Sequence, residues 1–316
     1  MSIQVRIIDS VKKYNQNRKI KDRLKVVLGA SKFDGLLRLF FRMVGLKRKE
    51  EILLNNNKKL KDMYKGKRCF IMGNGPSIKK MDLSMLKDEI TFSVNQFTNT
   101  DIYKQIQPSF HLWADERFFK LDKNNSGDMA ILEDMKLANH GGSKPIVFYK
   151  TTAFSMIKEF DLDSLLNIYY YSDRLVFDGN YKKNIDISKL MPWFPTVVQY
   201  AIIFAIYMGF SEIYLLGCDC TGILNFIKEK DKSCETDDYA YSYKVTDKEK
   251  KHFSQAMKKR TSADEFEGHF KVFQYYEWLR DYCIDRNVKL INCTPEGLLD
   301  SLQRCSLENV LGEKNV

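Results

Sequence analysis

No apolar run in this chain of 316 residues approaches the roughly 20 residues that a bilayer-crossing helix needs. A membrane-spanning segment is therefore not expected. The first residues lack the apolar core and small-residue cleavage site of a secretory signal, which predicts a cytoplasmic protein. The seven cysteines do not form a metal pattern. Cys218 and Cys220 make a C-x-C, not a pair of C-x-x-C knuckles, and no His/Cys cluster completes a tetrahedral set. Reduced thiols and no bound metal are the expectation.

A basic body is also missing. Residues 1–68 carry 20 Lys+Arg against 6 Asp+Glu, a balance of +14, while the remainder carries 31 against 35, a balance of −4. Nucleic-acid binding asks for a basic face on the folded domain, so nucleic acid is not an expected partner.

What is present is a real core, with 44% hydrophobic and 13% aromatic residues, and a clear α/β rhythm. Residues 1–66 read as a basic helical extension. Phe33, Leu36, Leu37, Leu39, Phe40, Met43, Val44 and Leu46 recur at near-helical spacing among Lys and Arg. Such a helix either lies on an anionic membrane surface or packs on the body with a solvated basic face.

From residue 67 the chain alternates short apolar runs with turn residues. Strands are expected at Cys69–Met72, Thr91–Val94, Phe110–Trp113, Ile146–Tyr149, Ile168–Tyr171, Ser211–Leu216 and Val288–Asn292. Thr196–Met208, apolar on nearly every side, predicts a buried helix closed by Gly209. Residues 177–189 read as a polar excursion, and 221–263 as a polar lid. A helix is expected over Phe270–Arg286, and Thr294-Pro295-Glu296-Gly297 should turn into a short closing helix.

The first strand ends in Gly73-Asn74-Gly75-Pro76-Ser77. Glycines permit positive φ and close backbone approach, and proline suits a first helical turn. Amides left free there would face an anion such as a phosphate; an ordinary strand-to-helix connection would read the same way. Asp219 ends another strand, where a carboxylate can accept from ribose hydroxyls or merely cap a turn. His269 is the candidate base, since imidazole titrates near neutrality; a capping role near a helix start is the alternative. Tyr239, Tyr241 and Tyr243 alternate, so an extended backbone turns all three to one side. They could bond a phosphate or cover the body. Asp115 and Glu116 could orient an acceptor or belong to a solvated loop.

Five segments occur in a telling order: Gly73-Asn74-Gly75-Pro76-Ser77, Asn95-Gln96-Phe97, Glu212 to Asp219, Gly268-His269 and Cys293-Thr294-Pro295. In these, residues 67–300 resemble the bacterial sialyltransferases of the Campylobacter lipooligosaccharide type. They also resemble a wider superfamily that includes flagellin-modifying motility accessory proteins and archaeal pterin pyrophosphokinases. The resemblance implies a catalytic domain over 67–316 with a Rossmann-like, mainly parallel sheet (a sialyltransferase-like variant of the GT-A fold) and a flexible lid.

It further implies a metal-independent, inverting transfer of an acidic sugar from a CMP donor to a glycan or lipid-linked glycan. Cell-surface polysaccharide or lipooligosaccharide synthesis is the implied setting, with peripheral contact at the inner membrane face and homo-oligomeric assembly. By position, Asn74 and its glycines would meet phosphate and ribose, Asn95 and Gln96 would lie near the leaving phosphate, and Gly217, Cys218 and Asp219 would meet the ribose or cytosine. Thr294 would contact the base, and His269 would deprotonate the acceptor hydroxyl.

The pattern departs at Thr221, where the family has the tyrosine that steadies the departing phosphate, which passes that role to Tyr239, Tyr241 or Tyr243. It departs also at Phe194, in place of an arginine near Thr196, and at Ala114-Asp115, in place of an asparagine; Asp115, Thr196 and Thr221 remain expected substrate contacts. The donor is then sialic acid, Kdo or another nonulosonate. Two alternatives remain: a Mg²⁺-dependent diphosphate transfer onto a pterin-like alcohol, using Asp115 and Asp219, and a non-catalytic nucleotide-binding protein at the membrane.

Overall fold

The computed structural model describes residues 48–139, 144–231, 241, 242, 245, 250, 254, 255 and 257–312. The basic helix expected over 33–46, and with it the membrane-facing segment, lies outside the described residues, as do Tyr239 and Tyr243.

In chain order the strands are β1 (Arg68–Met72), β2 (Thr91–Val94), β3 (Phe110–Leu112), β4 (Ile146–Lys150), β5 (Asn167–Leu175), β6 (Leu190–Pro192), β7 (Glu212–Leu216) and β8 (Lys289–Asn292). The helices are α1 (Arg48–Asn55), α2 (Asp101–Ile106), α3 (Ser126–Lys136), α4 (Phe154–Glu159), α5 (Leu162–Leu165), α6 (Val197–Tyr207), α7 (Gly222–Lys230), α8 (Ser262–Ile284) and α9 (Leu307–Gly312).

All eight strands run parallel in the order β6-β5-β4-β3-β2-β1-β7-β8. The chain builds outward from β1 to β6, then returns to the far side of β1 and builds outward again. The strand order thus reverses between β1 and β7, and parallel sheets open a crevice at such a point. The α/β expectation holds.

Alternation along the strands sorts side chains onto two covered faces. Cys69, Ile71, Phe92, Phe110, Phe148, Ile213 and Leu215 pack with α6 and α8. Phe70, Met72, Tyr214, Leu216 and Ile291 pack with residues of α2 and α9. Trp113, Val147 and Tyr149 pack with α3 and α4. Helix α6 is buried on nearly all sides, as its sequence predicts. His111 is fully buried, its Nδ1 2.7 Å from Ser93 Oγ, a structural position.

Four expectations are corrected. The excursion before residue 190 ends in an eighth strand, β6, which three apolar-to-neutral residues are too few to announce. Asn57 Nδ2 helps hold this edge by donating to Tyr170 O and Ile187 O, both at 2.7 Å. The last long helix begins at Ser262, not Phe270, because Thr261 caps it by accepting from Asp264 N and acidic Asp264 and Glu265 suit its first turn. His269 is therefore a mid-helix residue. The start of the expected lid, 222–230, is helix α7 instead. The closing helix comes later than expected, at Leu307–Gly312.

Among the described residues no helix is long and apolar enough to cross a membrane.

Candidate functional site

The β1 and β7 loops lie side by side because their strands do, and their backbones are zipped together. Gly73 N–H donates to Leu216 O (2.7 Å) and Gly75 N–H to Gly217 O (2.9 Å). A methyl group on Gly75 would stand 1.7 Å from Asp219 Oδ2 and 2.6 Å from Gly217 O, so the approach requires glycine. Gly217 has φ +64°, the left-handed region that glycine enters at no steric cost.

Asp219 closes this seam. Its Oδ1 accepts from Ser77 N (3.0 Å) and its Oδ2 from Ser77 Oγ (2.8 Å). Burial raises its carboxyl pKa, and the Ser77 hydrogen bonds oppose that rise. The helix-start anion site expected at Gly73–Ser77 is thus corrected. The amides of Gly73, Gly75 and Ser77 are satisfied by the β7 loop, and Asp219 itself holds the place an anion would take.

The seam forms one wall of a cavity of about 710 Å³. Gly73, Asn74, Gly75, Pro76, Ser77, Asn95, Gln96, Asp115, Thr196, Gly217, Cys218, Asp219, Thr221 and Tyr241 all line it. Asn74 Nδ2 donates to Val94 O (3.0 Å), and its Oδ1 accepts from Ser242 Oγ (3.3 Å). Asn95, at φ +45°, accepts from Ala114 N (3.2 Å), tying the ends of β2 and β3 together. Helices α6 and α7 both begin in the lining, through Thr196–Val198 and Thr221–Gly222. Thr196 caps α6 in a capping box with Gln199.

Two proposed residues do not line the cavity. Thr294 is buried behind it, its hydroxyl accepting from Cys218 N (2.9 Å), so it braces the β7 loop. His269 stands behind Gly222: a methyl on that glycine would lie 3.6 Å from the imidazole Cε1. Its Nε2 is 3.4 Å from Glu265 Oε1, one helical turn away, and Arg260 Nη1 donates to Glu265 Oε2 (2.9 Å). Burial lowers the His269 pKa, Glu265 opposes that, and Arg260 adds to it. A neutral imidazole beside an orienting carboxylate can accept a proton.

Sequence reading missed Lys80, Arg117, Tyr276, Glu296 and Gly297, which also line the cavity. Arg117 Nη2 donates to Gln96 Oε1 (2.8 Å), and Lys80 pairs with Glu296 (2.7 Å). Glu296 and Gly297 adjoin a motif already singled out, and that adjacency was the available signal. Arg117 lies two residues past Asp115 in a charged loop that announces nothing.

A parallel sheet with glycine loops meeting where its strand order reverses, and a cavity over them, defines a doubly wound α/β protein with a rim site. The family model for 6-hydroxymethylpterin diphosphokinase MptE-like proteins matches residues 46–222, more than half of the chain, and the chain belongs to that family. That span holds β1 to β7 and the wall up to Gly222; Glu265 and His269 fall outside it. Among solved structures, one of the sialyltransferase CstII from Campylobacter jejuni in complex with the substrate analogue cytidine-5'-monophosphate shares 18% identity. It aligns over 77% of this chain and 86% of that one, with a TM-score of 0.41. No curated protein matches.

Proposed function

We propose that the protein is a transferase that holds a CMP-linked acidic sugar in the β1/β7 cavity and passes the sugar to an acceptor hydroxyl. The observation that carries this reading is convergence. Fourteen residues from segments up to 168 positions apart, expected from sequence to bind substrate or to stabilise the departing phosphate, line one cavity. Two helix starts favour negative charge there, and Lys80 and Arg117 line it as well, each paired with a carboxylate, Glu296 and Asp115.

In the proposed reaction the acceptor oxygen attacks the anomeric carbon and the bond from that carbon to the CMP phosphate oxygen breaks. The configuration inverts, and His269, set behind Gly222, takes the hydroxyl proton through a bridging water. Glu265 orients the imidazole and steadies the imidazolium. Tyr241, in the lining, would donate to the departing phosphate; Tyr239 and Tyr243 share that proposal by sequence alone. The basic extension, 1–66, would hold the enzyme at an anionic inner membrane face, near lipid-linked acceptors of surface polysaccharide synthesis.

The family match favours a second reading, diphosphate transfer from a nucleoside triphosphate to a pterin-like alcohol. That chemistry implies Mg²⁺, which takes oxygen donors, commonly carboxylates together with substrate phosphates. The two carboxylates proposed for it do not fit. Both Asp219 oxygens accept from Ser77, while Asp115 accepts from Arg117 N (3.1 Å) and pairs with Arg117 Nε (3.4 Å), a cation a metal would have to displace.

Thermal shift with CMP, CDP, UDP, GDP and ATP, with and without Mg²⁺, decides between the readings, because a ligand that binds the folded state raises the melting temperature. CMP is expected to stabilise without metal. Stabilisation by ATP and Mg²⁺ alone would overturn the CMP-sugar reading.

A further inference from the structure

The described cysteines are free thiols, and two of them stand side by side. The last residue of β8, Asn292, forms an isolated parallel bridge with Arg304. Asn292 N–H donates to Gln303 O (2.9 Å), and Cys305 N–H donates to Asn292 O (3.2 Å). One residue further along both segments, that register sets Cys293 beside Cys305. Paired strands lie ~4.8 Å apart, inside the ~4.4–6.8 Å Cα separation that a disulfide spans. Both side chains turn to the same face. Cys293 is buried in the cluster of Phe70, Tyr214 and Ile291, and half-buried Cys305 packs against that cluster. The chain between the two cysteines is part of the first cavity's wall. Glu296 and Gly297 line it, Leu298 N–H donates to Asp219 O (2.8 Å), and a methyl on Gly297 would stand 2.6 Å from Asp219 Cα. Arg304 straps this loop by donating to the carbonyls of Thr294, Gly297 and Leu299, each at 2.9 Å.

We propose that Cys293 and Cys305 form a reversible disulfide that locks the loop between them, and with it the Glu296–Gly297 wall, against Asp219, whatever the cavity binds. Exposure orders the steps. A small disulfide such as oxidised glutathione meets half-buried Cys305 first. The Cys305 thiolate attacks one glutathione sulfur, and the other half leaves as a thiolate. The Cys293 thiolate then attacks the Cys305 sulfur from within the fold, the bond from that sulfur to glutathione breaks, and a second glutathione leaves. Two protein thiols give up their protons and two electrons, and those electrons reduce the glutathione disulfide to two thiols. Burial pushes the Cys293 thiol up to about 12, and Cys305 adds to the rise, so closure of the protein disulfide is the slow step and quickens as pH rises. The closed link stabilises the folded chain by restricting the unfolded one.

Treating the full chain with oxidised glutathione and digesting it with trypsin in the absence of reductant tests the pairing. Lys289, Arg304 and Lys314 place the two cysteines in separate peptides, 290–304 and 305–314. These two peptides are expected to appear joined by a disulfide, with a yield at fixed time that grows with pH. The melting temperature should rise by roughly 5 °C and fall back on adding dithiothreitol. Cys305→Ser should abolish both the link and the rise while leaving the melting temperature of the reduced protein unchanged. Glutathione retained on Cys305 with Cys293 still open to alkylation after denaturation overturns the proposal, as does linkage of either peptide to another cysteine. Joined peptides with no rise in melting temperature overturn the lock. The wild-type peptide map decides the pairing even where Cys305→Ser does not fold.

Discussion

The two cavities at the rim of the sheet are built from different materials. The first has a wall of backbone: Gly73, Gly75 and Gly217 let the β1 and β7 loops touch, and Asp219 locks them through Ser77. The second, of about 460 Å³, shares Asn95, Asp115, Thr196 and Val197 with the first. It is made of side chains: Lys150 from β4, Asp173 from β5, Tyr200 from α6 and Trp193 from the connection after β6. Backbone contact tolerates no added atom, so the residue choice in the first cavity is narrow. The second can exchange one polar group for another at less steric cost.

The largest expected effect falls on the chemistry beside the first cavity. His269→Ala should lower transfer, read as CMP release in the presence of acceptor, by about 10²- to 10⁴-fold, with the CMP thermal shift preserved. Loss of CMP binding with activity would make the residue structural.

Next in size is a contrast between two glycines. Gly75→Ala forces its methyl into Asp219 and Gly217 and should cost about 2–3 kcal/mol, seen as a lower urea midpoint. Gly222→Ala meets only ordinary contact at 3.6 Å and should change stability by less than about 0.5 kcal/mol. Equal losses at the two sites would refute the picture of a zipped seam.

The smallest effect concerns pH. Burial depresses the His269 pKa below its usual 6.5, so a reaction that needs the neutral base should hold its rate down to a pH below that value, then lose it. Glu265 raises the imidazole pKa, whereas Arg260 lowers it. Glu265→Gln should therefore move the acid limb of kcat/KM to still lower pH. An unmoved or upward-shifted limb would detach Glu265 from the base. Stability follows the same sign: the folded state disfavours the imidazolium, so protonation below about 6.5 favours the unfolded chain.

The first cavity was largely legible because close backbone approach leaves a local mark. Glycine, asparagine and proline in a short run after an apolar strand can be read without knowing what lies opposite. Asp219 was legible as important but not in its role, since its partner Ser77 is 142 residues away. The second cavity left no such mark. Lys150, Asp173 and Tyr200 are ordinary residues at the ends of separate elements, and they meet only because β4 pairs with β5 and α6 packs across them. His269 was found from its motif, but its helix was expected to start at Phe270 because the apolar period is clear only after that point. The capped polar turn at Thr261–Glu265 carries the helix eight residues further back.

Sequence alone determined the alternation of strands and helices, the burial of Thr196–Met208 and the glycine loops, because periodicity and turn chemistry act over a few residues. Only the tertiary structure decided that β7 returns beside β1, that Asp219 satisfies the amide and hydroxyl of Ser77, and that a lysine, three carboxylates and an indole share one pocket. Those outcomes depend on strand order, which is set by how whole faces pack and not by any short stretch of chain.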